Sequence, residues 1–236
     1  MYLRRISGMS ALVMVRGLGP HYARRKNQML KSVSALCAMA AFCTMLTAPE
    51  ARATPATEAF IQQNFDKGYM ILNTTSLSDA QRREQFRALL LGLAASRRIA
   101  LFTLGSYAPG AAPPAVDAFV EAFTNYSVAV YEKGLNRYAG QALKVTGSLD
   151  RAADDSVVEA ELVSPNPSNG QLIKIAFRVR RSETGGPTIT DILIEGVSLA
   201  ATERDEFTAY LQQHNGSIPE LTKRLDAMAE KGTPLN

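Results

Sequence analysis

ITDILIEGVSLAATERDEF, residues 189–207, decides how the fold is read. Ile192 and Ile194 alternate with Asp191, Leu193 and Glu195, which is the two-residue period of a strand with one dry face. Glu195-Gly196 ends that run. A glycine lets the chain turn sharply without a Cβ clash, so Val197 and Leu199 can re-enter the apolar interior. Glu195 is then expected at the rim, holding a neighbouring cation or the start of the next helix. A charged helix follows from near Thr202, with Phe207, Tyr210, Leu211 and His214 on one side. The corner therefore reads as architecture, with no catalytic role implied.

Upstream, the same period of two recurs. Leu143, Val145 and Leu149 alternate with polar residues, as do Val158, Ala160 and Leu162, and then Ile173, Ile175, Phe177 and Val179. The turn-rich stretches SPNPSNG (164–170) and SETGGP (182–187) separate the later runs. Four strands joined by short turns predict an antiparallel meander. Helical spacing occupies the flanks. Ile61, Phe65 and Leu72 share a stripe with Gly68, and Ser78 with Gln81 forms a capping box ahead of Phe86, Leu89, Leu90 and Leu93. The longest helical face runs Val116, Phe119, Phe123, Tyr126, Val130, with a weaker second stripe of Val120, Ser127 and Tyr131. A last helix starts at Ser217, with Glu220 completing a capping box and Leu221, Leu225 and Met228 inside. The fold class predicted is α+β, a four-stranded antiparallel meander with helices packed on one face, enclosing an apolar pocket.

Charge is divided unevenly along the 236 residues. Residues 1–53 hold eight Lys/Arg and one acid, which leaves 18 basic and 21 acidic residues, a net of −3, for 54–236. The basic balance belongs to the leader, so no nucleic-acid partner is expected. Lys31 precedes an apolar run, Ser32 to Ala48, followed by Pro49 and the small-residue site Ala51-Arg52-Ala53. This is the pattern of a Sec-type signal peptide cleaved near Ala53, with Met29 as a possible true start. A periplasmic location and a single domain over 54–236 are expected. Both cysteines, Cys37 and Cys43, fall in the leader, so the mature chain offers no disulfide and no thiolate.

Chemistry-bearing constellations are scarce. The mature chain has one histidine, His214, on an apolar helix side, where a partly buried or capping role fits best. Metal-ligand spacing and a nucleotide-binding loop are both missing from the sequence, so no cofactor, metal site or catalytic residue is expected. Asp154-Asp155 reads as a solvated turn, and Arg97, Arg98, Arg178 and Arg180 as a charged face that meets solvent, an anionic headgroup or acidic partners. What remains is apolar surface in excess, which either fills itself or encloses a greasy ligand.

Several segments resemble one family. Leu104-Gly105-Ser106-Tyr107 is similar to its LGxY segment, Tyr138-Ala139-Gly140 to its Y-x-G element, and Glu195-Gly196-Val197-Ser198-Leu199 to the corner before its charged helix. Over roughly residues 58–230 the chain resembles the toluene-tolerance, MlaC-type periplasmic phospholipid-binding proteins, including a branch associated with hopanoids. The resemblance implies a carrier that is not an enzyme and holds a phospholipid by its acyl tails. It would shuttle between an outer-membrane lipoprotein complex and an inner-membrane MCE-domain ABC transporter complex. A hopanoid or other polycyclic lipid carrier, or an interaction module without ligand, are the alternatives. A monomer is expected. Lipid tails between the 116–130 helix and the sheet would meet Phe102, Phe123, Tyr126, Val130, Phe177, Val179, Ile192, Ile194 and Val197.

Overall fold

The computed structural model describes residues 55–135, 140–163 and 172–231. The leader, Tyr138-Ala139 and the SPNPSNG turn lie outside the described residues. Helix α1 spans Pro55–Asn73, α2 Asp79–Leu93, α3 Ser96–Leu104 and α4 Pro113–Leu135, with a single 3-10 turn at Gly105–Tyr107. Strands β1 (Ala142–Ala152), β2 (Asp155–Val163), β3 (Ile173–Arg181) and β4 (Pro187–Ile194) follow, then β5 (Val197–Ser198), α5 (Leu199–Gln213) and α6 (Ile218–Lys231).

The sheet is fully antiparallel in the order β1-β2-β3-β4-β5, so it has five strands where four were expected. The extra strand comes from the Glu195-Gly196 corner. Both residues have positive φ, 50° and 80°, the backbone of a type I′ hairpin turn, and Ile194 pairs with Val197 across it. Among the described residues Glu195 bonds backbone and not a cation. Its backbone N–H donates to the Lys174 carbonyl at 2.9 Å, and its carboxylate accepts from the Lys174 backbone N–H at 2.8 Å. The side chain thus continues the β3 ladder past the end of β4.

Helix α5 starts at Leu199, earlier than its charge pattern suggested. Ser198 caps it by accepting from Ala201 N–H at 3.0 Å. Asp191 fixes that start from below, accepting from the Ser198 hydroxyl (2.6 Å), Ala200 N–H (3.1 Å) and Ile192 N–H (2.9 Å). A carboxylate at a helix N-terminus satisfies donors that have no partner within the helix and is favoured by the helix dipole.

The expected capping box at Ser78 and Gln81 is present. The α2–α3 link is stitched to the free side of β4: Ala95 N–H donates to the Ile189 carbonyl and the Thr188 hydroxyl to the Leu93 carbonyl, both at 2.9 Å. Helix α1 lies against β1 and β2. Its Gln62 amide bonds both Val145 N–H and the Leu143 carbonyl, which covers part of the open edge of β1.

Asp155 corrects the solvated-turn reading. It is 7 % exposed and takes Arg178 in a two-pronged pair at 2.9 and 2.6 Å. That hydrogen-bonded pairing holds the Asp155 carboxyl below the usual carboxylate range. Arg97 and Arg180 are likewise engaged, with Asp117 at 2.8 Å and Asp154 at 3.3 Å. His214 ends α5, stacked on Tyr210 with ring centroids 3.8 Å apart and its Nδ1 bonded to the Tyr210 carbonyl.

Candidate lipid-binding site

The apolar interior is divided. One cluster is helical: the α4 face Phe119, Phe123 and Tyr126 packs with Leu104, Phe207, Leu211, Leu221 and Leu225. The Phe207 ring stands edge-on to Phe119 and Phe123, with centroids 5.9 and 6.2 Å away. The other belongs to the sheet: Leu143, Val158, Ala160, Phe177 and Val179 with Ile61 of α1, and Ile175, Ile189 and Ile192 partly buried against them. The two clusters share no residue. Val128 of α4, 4 % exposed, is buried outside both clusters.

Apolar side chains are exposed at one end of the sheet. Phe65 and Tyr69 of α1 are 38 % and 44 % exposed, and Val163 and Leu172 at the strand ends are exposed as well. A shallow groove of about 160 Å³ lies there, lined by Phe65, Asp66, Tyr69, Ala142 and Leu143. Phe65 also meets Phe177 edge-on at 5.8 Å, which links the groove to the sheet cluster. At the opposite end the sheet is closed by buried Asp155, Ser156 and Thr188.

The residues expected from sequence fall into three groups. Phe177, Val179, Ile192 and Ile194 lie together in β3 and β4, and Val197 pairs with Ile194. Phe123, Tyr126 and Val130 belong to the helical cluster, so the main α4 stripe faces other helices and not the sheet. Periodicity marks a buried face but does not say which neighbour covers it. Phe102 stands apart from both clusters: it is 44 % exposed, with the Arg204 guanidinium over its ring at 5.2 Å.

Arg204 also explains Gly105. A Cβ there would come within 2.9 Å of Arg204 Nε, and Gly105 has φ +56°. Tyr107 packs on Gly216, where a Cβ would meet its ring at 3.2 Å. The Leu104-Gly105-Ser106-Tyr107 segment is therefore a clasp between the end of α3, helix α5 and the α5–α6 turn.

A polar group that the sequence reading missed lies against the helical cluster. Glu203 occupies the inward stripe of α5, in register with Ala200, Phe207 and Leu211. Its Oε1 accepts from the Tyr126 hydroxyl at 3.4 Å, and its Oε2 is buried without a hydrogen-bond partner. Burial, with Glu206 adding to it, pushes the Glu203 carboxyl up to about 7, against a small opposing effect of the Tyr126 bond. Burial and then the fields of Glu203 and Asp191 push the Tyr131 hydroxyl up to about 12. Arg204 lies over the Phe102 ring, Arg224 over the Tyr210 ring, and Arg178 pairs with Asp155. A glutamate at one position of an otherwise apolar helical stripe was the signal available in the sequence.

Among the described residues there is no His, Cys, Asp and Glu grouping suited to a metal, and no helix long and apolar enough to cross a membrane. Comparison with protein-family models matches residues 62–227 to the family described as MlaC protein. The chain belongs to the MlaC family. Among solved structures it is similar to the phospholipid-binding protein from Ralstonia solanacearum in complex with a phospholipid. Identity to that protein is 20 %, the TM-score is 0.62, and the match covers 74 % of this chain and 97 % of that one. The likeness extends the shared α+β fold over nearly the whole of the Ralstonia protein. In this MlaC-family chain the two motif segments that the structure describes serve the architecture. Gly105 and Tyr107 form the α3–α5 clasp, Glu195-Gly196 the β4–β5 hairpin, and Ser198 the α5 cap.

Proposed function

We propose that this protein is a periplasmic phospholipid carrier that is not an enzyme and moves lipid between outer-membrane and inner-membrane transport complexes. Membership of the MlaC family and the phospholipid complex of the structural neighbour support the lipid-carrying role. The observation that carries it here is the split interior. We read the division between the two apolar clusters as the seam that admits acyl tails, with exposed Phe65 and Tyr69 at its mouth. The tails enter at the Phe65 and Tyr69 end and run along the sheet wall of Phe177, Val179, Ile192, Ile194 and Val197. Phe123, Tyr126 and Val130 support the facing helical wall from behind. The visible groove of about 160 Å³ is below the range of common ligand pockets, so loading parts the seam further.

Energetics constrain the mechanism. Two acyl tails carry on the order of 30 methylenes, and exposing them to water would cost about 25 kcal/mol at ~0.8 kcal/mol each. Lipid must therefore pass from one apolar environment directly to another, with direction supplied by a partner that couples to an energy source. The experiment is lipid co-purification with an Ile192→Arg variant that is still exported and folded. The account expects lipid content to fall to a small fraction of wild type. Undiminished loading would remove the sheet face from the binding site.

A further inference from the structure

We propose that the exposed apolar end of the sheet is a membrane-docking edge, which seats the protein with Phe65 and Tyr69 against a phospholipid bilayer. The proposal rests on the lipid-carrier reading above and adds the surface on which lipid is exchanged.

The first observation is clustering. Among the described residues eight large apolar side chains are exposed, and five of them, Phe65, Tyr69, Met70, Val163 and Leu172, lie at this end. Strand pairing and the groove bring them together. Val163 pairs with Ala142, and Leu172 precedes Ile173, the partner of Leu162 in the next rung. Ala142 and Leu143 line the groove with Phe65 and Tyr69. Met70 follows Tyr69 on α1 and is 59 % exposed. Single exposed apolar residues are ordinary, whereas a contiguous patch marks a surface that something apolar covers.

Charge and residue type select the bilayer. Lys67, Lys144 and Lys174 are exposed beside the patch and make no ion pair among the described residues. The acids of this end are engaged or balanced. Asp66 accepts from the Gln62 amide at 2.9 Å, Glu195 accepts from the Lys174 backbone, and Glu161 lies between Lys144 and Lys174 in register. This end is therefore close to neutral, although residues 54–236 carry a net of −3, and it can approach an anionic surface that the rest of the chain repels. Lysine is depleted at protein–protein interfaces, but it lays its stem along apolar surface while its ammonium reaches headgroup phosphates. Tyrosine suits the same boundary between acyl chains and water. With Met70 and Leu172 in the acyl region and the lysines among the headgroups, the groove opens directly onto the phase that supplies or receives lipid, so the tails cross no water.

The test is vesicle binding by residues 54–236, which contain no cysteine. The protein is mixed with vesicles of phosphatidylglycerol and phosphatidylcholine in equal parts, and the sedimented fraction is measured. Wild type should sediment with the vesicles. Met70→Glu and Leu172→Glu should each weaken binding by about tenfold, the scale of one large apolar side chain kept out of an apolar phase. Both positions are exposed, so each variant should keep its fold and its lipid content, and either serves if the other misfolds. Lys144→Ala should weaken binding by about fivefold on these vesicles and leave it unchanged on phosphatidylcholine alone. To locate the contact, Met70→Cys is labelled with an environment-sensitive dye, whose emission should shift to the blue when vesicles are added. The same dye at Leu91→Cys, exposed on α2, should not shift. Wild type that stays in the supernatant, folded glutamate variants that bind as tightly as wild type, or an unshifted dye at Met70 each overturn the docking edge, and a protein partner then covers this end. The carrier reading is scored separately by lipid extracted from the same wild-type preparation, and its failure would show as a lipid-free extract whatever the vesicles report.

Discussion

Replacing Glu203 by glutamine should remove a pH dependence from the stability of this protein. The carboxyl ionises at an ordinary value near 4.5 when unfolded and at about 7 in the fold, because burial and Glu206 oppose its charge. Below pH 4.5 both states hold the proton and Glu203 adds no pH dependence. Between the two values only the unfolded chain releases it, so stability falls as pH rises, by about 1.4 kcal/mol per pH unit at most. Above the folded value the loss is complete. The gap corresponds to about 3 kcal/mol, and water entering the site on ionisation will bring it nearer 2 kcal/mol. For a domain of this size that is roughly a 4–8 °C fall in Tm. The assay is urea unfolding of lipid-free mature protein from pH 5 to 8, followed by circular dichroism, since the chain has no tryptophan. Wild type should lose stability across that range, while Glu203→Gln, neutral and of the same shape, should lose much less and be the more stable of the two at pH 8. Glu206, also raised by burial, leaves a residual slope in the same direction. Parallel pH profiles for wild type and variant would refute the reasoning.

Other sites make separate predictions. Asp155→Ala should destabilise by about 2 kcal/mol by leaving Arg178 without its two-pronged partner, measured as a shift in urea midpoint at pH 7. Because the Asp155 carboxyl is held low, its contribution is present above the ordinary carboxylate value and lost as pH falls through the folded value. Wild type should therefore converge on Asp155→Ala in acid. Gly105→Ala should cost about 1–3 kcal/mol, since the new Cβ meets Arg204 and the positive φ disfavours alanine. Phe102→Ala should change stability by about 1 kcal/mol or less and leave lipid content at the wild-type level, because its ring packs under Arg204 on the surface.

Much of the fold was legible because periodicity reports local structure directly. The alternation in 143–149, 158–162, 173–179 and 192–194 gave strands that pair in chain order, and Ser78 with Gln81 gave a helix start. The fifth strand was missed because two residues carry no period. The signal was chemical instead, a Glu-Gly pair able to take two positive φ angles between apolar neighbours. The site was less legible. Phe123 and Phe177 are both buried aromatics on clean stripes, yet one fills a helix bundle and the other the sheet cluster. Which neighbour covers each stripe depends on how the helices dock, which no spacing in the sequence encodes. Phe102 looked like a core residue because nothing local shows that Arg204, about a hundred positions away, will cover it. Asp155 looked like a surface acid and Glu203 drew no reading, because charge alone does not reveal a partner across the fold.

The central claim is that the seam between the two apolar clusters holds phospholipid. The direct measurement is native mass spectrometry of the mature protein purified from the periplasm without detergent, with lipid extraction from the same sample. The account predicts a one-to-one lipid adduct that survives purification and is identified as phospholipid in the extract. A bare protein mass together with a lipid-free extract would contradict it.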